Sequence, residues 1–165
     1  MKIAAIETIL LEIPNVHKGP PSTVLGRVSR TLETLLVKVT TEDGMVGWGD
    51  AFAYRIGPAT RAAIDQVIAP LAVGRDIAGP VPLAEDLRRQ LHNLGRNGAL
   101  SFGLSGLDIA LWDIAGKAAG KPIHALLGGA CKERVPCYAS MLRYGVPDQV
   151  GRIAAEAAGR GYRIL

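Results

Sequence analysis

Ser101–Gly129 reads SFGLSGLDIALWDIAGKAAGKPIHALLGG, and its spacing decides the architecture. Counted from the residue just ahead of it, Leu100, Leu104, Leu107, Leu111, Ile114 and Ala118 recur at three- and four-residue intervals, the period of an α-helix with one apolar stripe. Gly120 can adopt the left-handed conformation that ends a helix, and Pro122 prevents it from continuing. Asp113 and Lys117 stand four apart, placed for an ion pair on the polar side. A short second helical turn then closes on Gly128-Gly129. A helix this apolar belongs in a core, so the rest of the chain must supply the surfaces that cover it.

Upstream, the period changes to two. Lys2–Ile13 reads as a strand ended by Pro14, and a polar Gly/Pro-rich loop runs from Pro14 to Ser29. Thr31–Thr41 is a second strand with Leu35, Val37 and Val39 on one face, and Glu42-Asp43-Gly44 is a hairpin signal. Met45–Ala51 returns as the third strand; Val46 and Trp48 share a face, while Gly47 and Gly49 leave room for something to pack close behind. The result is a three-stranded antiparallel meander. Pro58 suits the first turn of a helix carrying Ile64, Val67, Ile68 and Leu71, and Pro82 opens another with Leu83, Leu87, Leu91 and Leu94 as its stripe.

After Gly129 the pattern becomes strand (Val135–Ser140), helix (Pro147–Ala158, with Val150, Ile153, Ala154 and Ala157 inward) and the start of another strand (Tyr162–Leu165). This is a βαβ unit, whose strands are expected to lie parallel. The fold class is therefore α+β: meander and helical bundle over residues 1–129, and a separate unit beginning over 130–165.

Bulk composition narrows the class. With 48% hydrophobic and 21% charged residues, the 165-residue chain is of ordinary globular make-up. Its net charge of +4 is scattered, with no cationic run interleaved with aromatics, so nucleic-acid binding is not expected. Cys131 and Cys137 match no disulfide or zinc spacing, and suit a reducing cytoplasm. No apolar run approaches the roughly 18 residues of a membrane span, and the N-terminus lacks a secretion-signal pattern. No phosphate-binding glycine loop, nucleophile elbow or metal-ligand cluster is visible. Asp108 and Asp113 are five apart, on different sides of the helix, and read as structural; His92 and His124 read as surface or packing histidines.

Cationic and aromatic residues gather where strands one and three run out: His17, Lys18 and Arg27 in the first loop, Phe52, Tyr54 and Arg55 after the third strand. Such a set suits a small organic anion through charge-assisted hydrogen bonds. Read from chemistry alone, the same residues fit solvated loops without a ligand better than a binding site.

The signature stretch, the meander with its Asp-Gly hairpin and the strand Arg134–Ser140 together resemble the N-terminal capping domain of the enolase superfamily, in its mandelate racemase and muconate lactonizing branch. The resemblance implies that residues 130–165 begin a (β/α)8 barrel, truncated here, since a barrel needs about 250 residues. It implies a Mg2+-dependent enzyme, a racemase, dehydratase or cycloisomerase, that abstracts a proton α to a carboxylate. In that family the two cap loops close over the barrel mouth and select the substrate. Carried over by position, these are Pro14–Ser29 and Ala51–Gly57, making His17, Lys18, Arg27, Phe52, Tyr54 and Arg55 substrate-binding candidates. Ser140, at the C-terminal end of the first barrel strand, joins them. The catalytic base and the metal ligands are expected on later barrel strands, so no catalytic or metal residue is assigned within 1–165. The chain alone is expected to be inactive and to bind no cofactor; the whole enzyme is expected to be a cytoplasmic homo-oligomer. The alternative is a stand-alone, non-catalytic binding module derived from such a cap.

Overall fold

The computed structural model describes residues 1–14, 23–24, 27–28, 31–77, 79–129, 132–141 and 147–164, with the backbone alone at 23–24 and 27–28. These fall into two compact units, Met1–Ile13 with Glu33–Gly129 and Pro14–Leu32 with Ala130–Leu165.

The first unit is built on a three-stranded antiparallel sheet of β1 (Ile3–Pro14), β4 (Thr31–Thr41) and β5 (Val46–Ala51), with β4 in the middle. Two short strands, β2 (Thr23–Val24) and β3 (Arg27–Val28), pair antiparallel inside the stretch read from sequence as a plain loop. The period-two reading of β4 holds, since Leu35, Val37 and Val39 are fully buried. Opposite them on β5 stand Ala51, Gly49 and Gly47. The hairpin between β4 and β5 turns on Gly44, whose φ of +83° is one that side-chain-bearing residues rarely adopt. Thr41 closes the hairpin: its hydroxyl donates to the Met45 carbonyl and accepts the Met45 N–H.

Helices cover the inner face of the sheet. α1 (Gly57–Ala63) passes through a π-helical turn, Ile64–Ile68, into α2 (Ala69–Ala72). Pro70 lacks an N–H and its ring would crowd the carbonyl four residues back in a regular helix, so the wider turn ahead of it relieves both faults. α3 (Pro80–Gln90) begins two residues before the expected Pro82. It buries Leu83 and Leu87, and Leu91 just beyond it, but Leu94 is 61% exposed. The chain tightens into a 3-10 turn at His92–Leu94, which carries Leu94 off the α-helical stripe.

α4 (Ala99–Ala119) is the central helix. Leu104, Leu107, Leu111 and Ile114 are buried, each worth about 2 kcal/mol of apolar burial. Ala118, placed by period on the same stripe, is exposed, because the helix has by then run past the sheet. The helix packs on β5 with no room for a side chain between them. A Cβ on Gly49 would lie 1.9 Å from the Gly106 carbonyl oxygen, and one on Gly47 2.3 Å from that of Ala110. A Cβ on Gly106 would in turn lie 2.7 Å from that of Ala51. The Asp113–Lys117 pair, 2.7 Å apart, also reaches the strand. Asp113 accepts the Trp48 N–H at 2.8 Å, and Lys117 Nζ donates to the Val46 carbonyl at 2.8 Å. At 21 residues and a mean hydropathy of 1.2 over its most apolar window, α4 does reach membrane-span length. Its buried stripe against β5 and α3 accounts for that apolarity as core. Gly120 ends the helix with φ +61°, and Pro122 precedes the short α5 (Ile123–Leu126).

In the second unit, α6 (Pro147–Gly159) forms as expected, with Ala157 buried and Val150, Ile153 and Ala154 half-buried. The expected strands Val135–Ser140 and Tyr162–Leu165 are not strands over their described residues. One backbone bond, Ala139 N–H to the Ile164 carbonyl at 3.0 Å, links the two segments. Parallel strands are stable when covered on both faces. Here Val135, Tyr138 and Ile164 stay 57–70% exposed.

Candidate functional site

The exit of β5 is the best-defined candidate. Ala51 and Ala53 are buried and hold the loop's root, while Phe52 between them points outward at 50% exposure. Thr60, fully buried on α1, donates its hydroxyl to the Phe52 carbonyl at 3.0 Å and so ties the loop to the helix that follows. A turn closes with Ile56 N–H donating to the Ala53 carbonyl at 3.0 Å. Within it Arg55 adopts φ +64°, the one positive φ at a non-glycine among the described residues. Such a conformation costs about 1–2 kcal/mol. It persists because Thr60 and the turn fix the backbone on both sides, and strain of this kind tends to collect at functional sites.

The side chains form a small mixed surface. The Arg55 guanidinium carbon sits 5.7 Å from the Tyr54 ring centre, within cation–π range. The Phe52 ring meets that of Phe102, in the first turn of α4, with centroids 4.7 Å apart and planes tilted by 45°. Glu33 approaches from β4: a Cβ on Gly57 would lie 3.3 Å from its Oε2. That oxygen is buried without a hydrogen-bond partner among the described residues. A guanidinium and three aromatic rings can together hold a small organic anion, while the Glu33 oxygen lies beneath that surface.

Of the residues expected from sequence, Phe52, Tyr54 and Arg55 are thus brought together. His17 and Lys18 lie outside the described residues; Arg27 pairs through its backbone with Val24 in the β2–β3 ladder, and its side chain lies outside them too. Ser140 is exposed in the second unit, in a segment that is not a strand. Phe102 and Glu33 were missed. Glu33 had a signal: it shares the parity of Leu35, Val37 and Val39, which places a carboxylate on the buried side of β4. Phe102 had a weaker one, an aromatic in the first turn of the signature helix. His92 and His124 are exposed, in keeping with surface roles. Among the described residues no three side chains of metal-ligating type converge.

Comparison with known proteins gives these features a context. Residues 5–128 match the family model of the mandelate racemase/muconate lactonizing enzyme N-terminal domain. The chain is 38% identical over 165 residues to D-galactarolactone cycloisomerase of Agrobacterium fabrum, covering 97% of this chain and 41% of that enzyme. It is 44% identical over 108 residues to a D-galactonate dehydratase family member of Paenibacillus sp., covering 64% and 26%. A mandelate racemase/muconate lactonizing protein from Paracoccus denitrificans, solved in complex with magnesium, superposes with a TM-score of 0.75 at 33% identity, covering 96% of this chain and 39% of that one. The chain therefore spans less than half the length of each of these relatives.

Proposed function

Because this chain belongs to the mandelate racemase/muconate lactonizing enzyme family, matching its N-terminal domain, we propose that it is the capping part of an enzyme acting on a sugar-derived carboxylic acid. The reaction of the whole protein is removal of the proton α to the carboxylate, leading to dehydration or cycloisomerisation, as the names of the relatives suggest. The observation that carries this reading is the family match over residues 5–128, which takes in the strained, anchored loop at Phe52–Arg55.

In this reading the loop selects and encloses the substrate. The Arg55 guanidinium donates to the carboxylate or to a substrate hydroxyl, and charge assistance makes such a bond stronger than a neutral one. Phe52 and Tyr54 exclude water from one side of the sugar chain. His17, Lys18 and Arg27, from the loop at Pro14–Ser29, and Ser140, from the segment 130–165 read as the start of a second domain, stay substrate-binding candidates by position alone. A magnesium ion held by other parts of the whole enzyme would supply stabilisation of charge on the substrate carboxylate. The described residues of this chain do not fit a metal site, so none is assigned to holding it. Residues 1–165 alone are expected to give no turnover. The whole protein is read as a cytoplasmic homo-oligomer acting on a soluble small molecule, without a nucleic-acid or membrane partner.

The test is a panel of aldonic and aldaric acids offered to the whole protein, with loss of the α-proton followed by NMR. At least one acid is expected to react. Arg55→Asn tolerates the left-handed turn while removing the guanidinium, and is expected to raise KM by about tenfold, the equivalent of one charged hydrogen bond. Inertness toward every acid in the panel, or an Arg55→Asn enzyme with unchanged KM, would overturn the reading.

A further inference from the structure

The last turn of α3, the 3-10 turn at His92–Leu94 and the first turn of α4 line an open-mouthed cavity of about 430 Å3. Its floor is apolar, formed by Leu91 and Leu104. Its walls carry Arg88, Arg89, Arg96, His92 and Ser101, and no carboxylate is among the lining residues. The chain as a whole has only four more basic than acidic side chains, 19 against 15. Three guanidiniums on one cavity therefore represent a local concentration of charge that the composition does not suggest.

Neighbouring groups leave this charge largely unanswered. Glu85, one turn before Arg88 and Arg89 on α3, makes no ion pair among the described residues, and Asp86 is held at 2.8 Å by Arg75 and at 2.8 Å by Gln90. Arg89 reaches Asp86 only at 3.7 Å. Arg88 and Arg96 have no ion pair among the described residues. The helix end adds to the same field. Gly98, at the N-cap of α4, makes no side-chain capping bond, and the first turn contains no acidic residue. Phe102 N–H is the first to reach back into the helix, to the Gly98 carbonyl at 3.0 Å. The N–H groups of Ala99, Leu100 and Ser101 therefore have no acceptor within the helix, at its positive end. His92 Nδ1 donates to the Arg89 carbonyl at 2.7 Å and so fixes the imidazole against α3.

We infer that this cavity binds a small organic anion, its oxyanion group among Arg88, Arg89, Arg96 and the first turn of α4, its carbon body on Leu91 and Leu104. The volume lies within the roughly 300–1,000 Å3 usual for small-molecule sites. A phosphate monoester and a carboxylate share the necessary oxyanion chemistry. The site uses none of the residues of the Phe52–Arg55 loop, so the inference stands whether or not the proposed function does.

The experiment uses the 165-residue chain, labelled with 15N. Phenyl phosphate and benzoate are titrated separately at constant ionic strength, and the amide signals of Arg96, Leu100 and Ser101 are followed. Saturable shifts of these amides are expected with at least one probe, and the tighter probe identifies the anionic group. The double variant Arg88→Ala/Arg96→Ala changes only exposed side chains and is expected to weaken binding at least tenfold with the rest of the spectrum intact. As a second variant, Ser101→Asp puts a negative charge in the first helical turn. That favours the helix, so its expected loss of binding cannot be ascribed to unfolding. Shifts that rise linearly and equally with sodium chloride, or saturable binding that survives both variants, would overturn the inference.

Discussion

Two apolar stretches of this chain meet opposite fates. On α4, Leu107, Leu111 and Ile114 are at most 1% exposed; in the later segments, Val135, Tyr138 and Ile164 stand at 70%, 64% and 57%. Intrinsic residue preference does not separate them, since Val, Tyr and Ile are good strand formers. The difference lies in what each stretch faces. α4 is met by a strand whose glycines let backbone touch backbone, so its leucines reach the sheet. Residues 135–140 and 162–164 share one backbone hydrogen bond, and among the described residues no ladder forms. Apolar pattern becomes secondary structure where a complementary surface lies opposite.

The sharpest way to break this comparison is to fill the seam. Gly49→Ala places a methyl group 1.9 Å from the Gly106 carbonyl oxygen, against backbone that cannot swing aside. A destabilisation of about 3 kcal/mol or more is expected in urea unfolding. A cost below about 1 kcal/mol would mean that the helix can lift off the strand freely, and the contrast would collapse. Asp113→Ala comes next. It removes the acceptor of the Trp48 N–H and the partner of Lys117, for an expected loss of about 1–2 kcal/mol at this partly exposed position. Lys117→Met, which spares the Asp113 bond, should cost less than half as much.

In the exposed segment the expectation reverses. Val135→Ser and Tyr138→Ser in the 165-residue chain should shift stability by no more than about 0.5 kcal/mol, because little apolar area is lost. A larger loss in the same urea experiment would show that these side chains have cover after all. The smallest effect concerns pH. Arg75, with Gln90 second, holds the Asp86 carboxyl below its ordinary pKa. The stabilisation from that contact is therefore present above the unfolded-state pKa and fades as acid takes the pH down through the lower folded-state value. Asp86→Asn should flatten the acid limb of a stability–pH curve below about pH 4 and leave its shape at neutral pH unchanged.

Much of the first unit was legible because two strict periods run through it. Alternation at Leu35, Val37 and Val39 gave β4 its buried face, and the spacing of Leu104, Leu107, Leu111 and Ile114 gave α4 its stripe. The glycines of Gly-Trp-Gly announced a close approach, and Gly106 and Ala110 proved to be what approaches. Period misled where the backbone left it. Leu94 fits the α3 spacing but falls in a 3-10 turn, and Ala118 fits α4 but lies beyond the sheet. The site was legible only in part for a related reason. Phe52, Tyr54 and Arg55 are contiguous, whereas Glu33 and Phe102 reach the same loop from a strand and a helix far away in sequence. No local pattern records such a meeting. The β2–β3 ladder, two residues on each side, is too short to show any alternation.

The Asp113–Lys117 pair has a consequence for how the protein behaves in a crowd. β5 is the sheet's outermost strand on its side, and a free strand margin is where a second chain can add itself and begin a fibril or an unwanted dimer. The Trp48 N–H and the Val46 carbonyl, two of the groups such an intruder would need, are already taken by side chains of α4. A lone lysine is a common guard on exposed strands; here it acts with a carboxylate, so both a donor and an acceptor of the margin are occupied from within the fold.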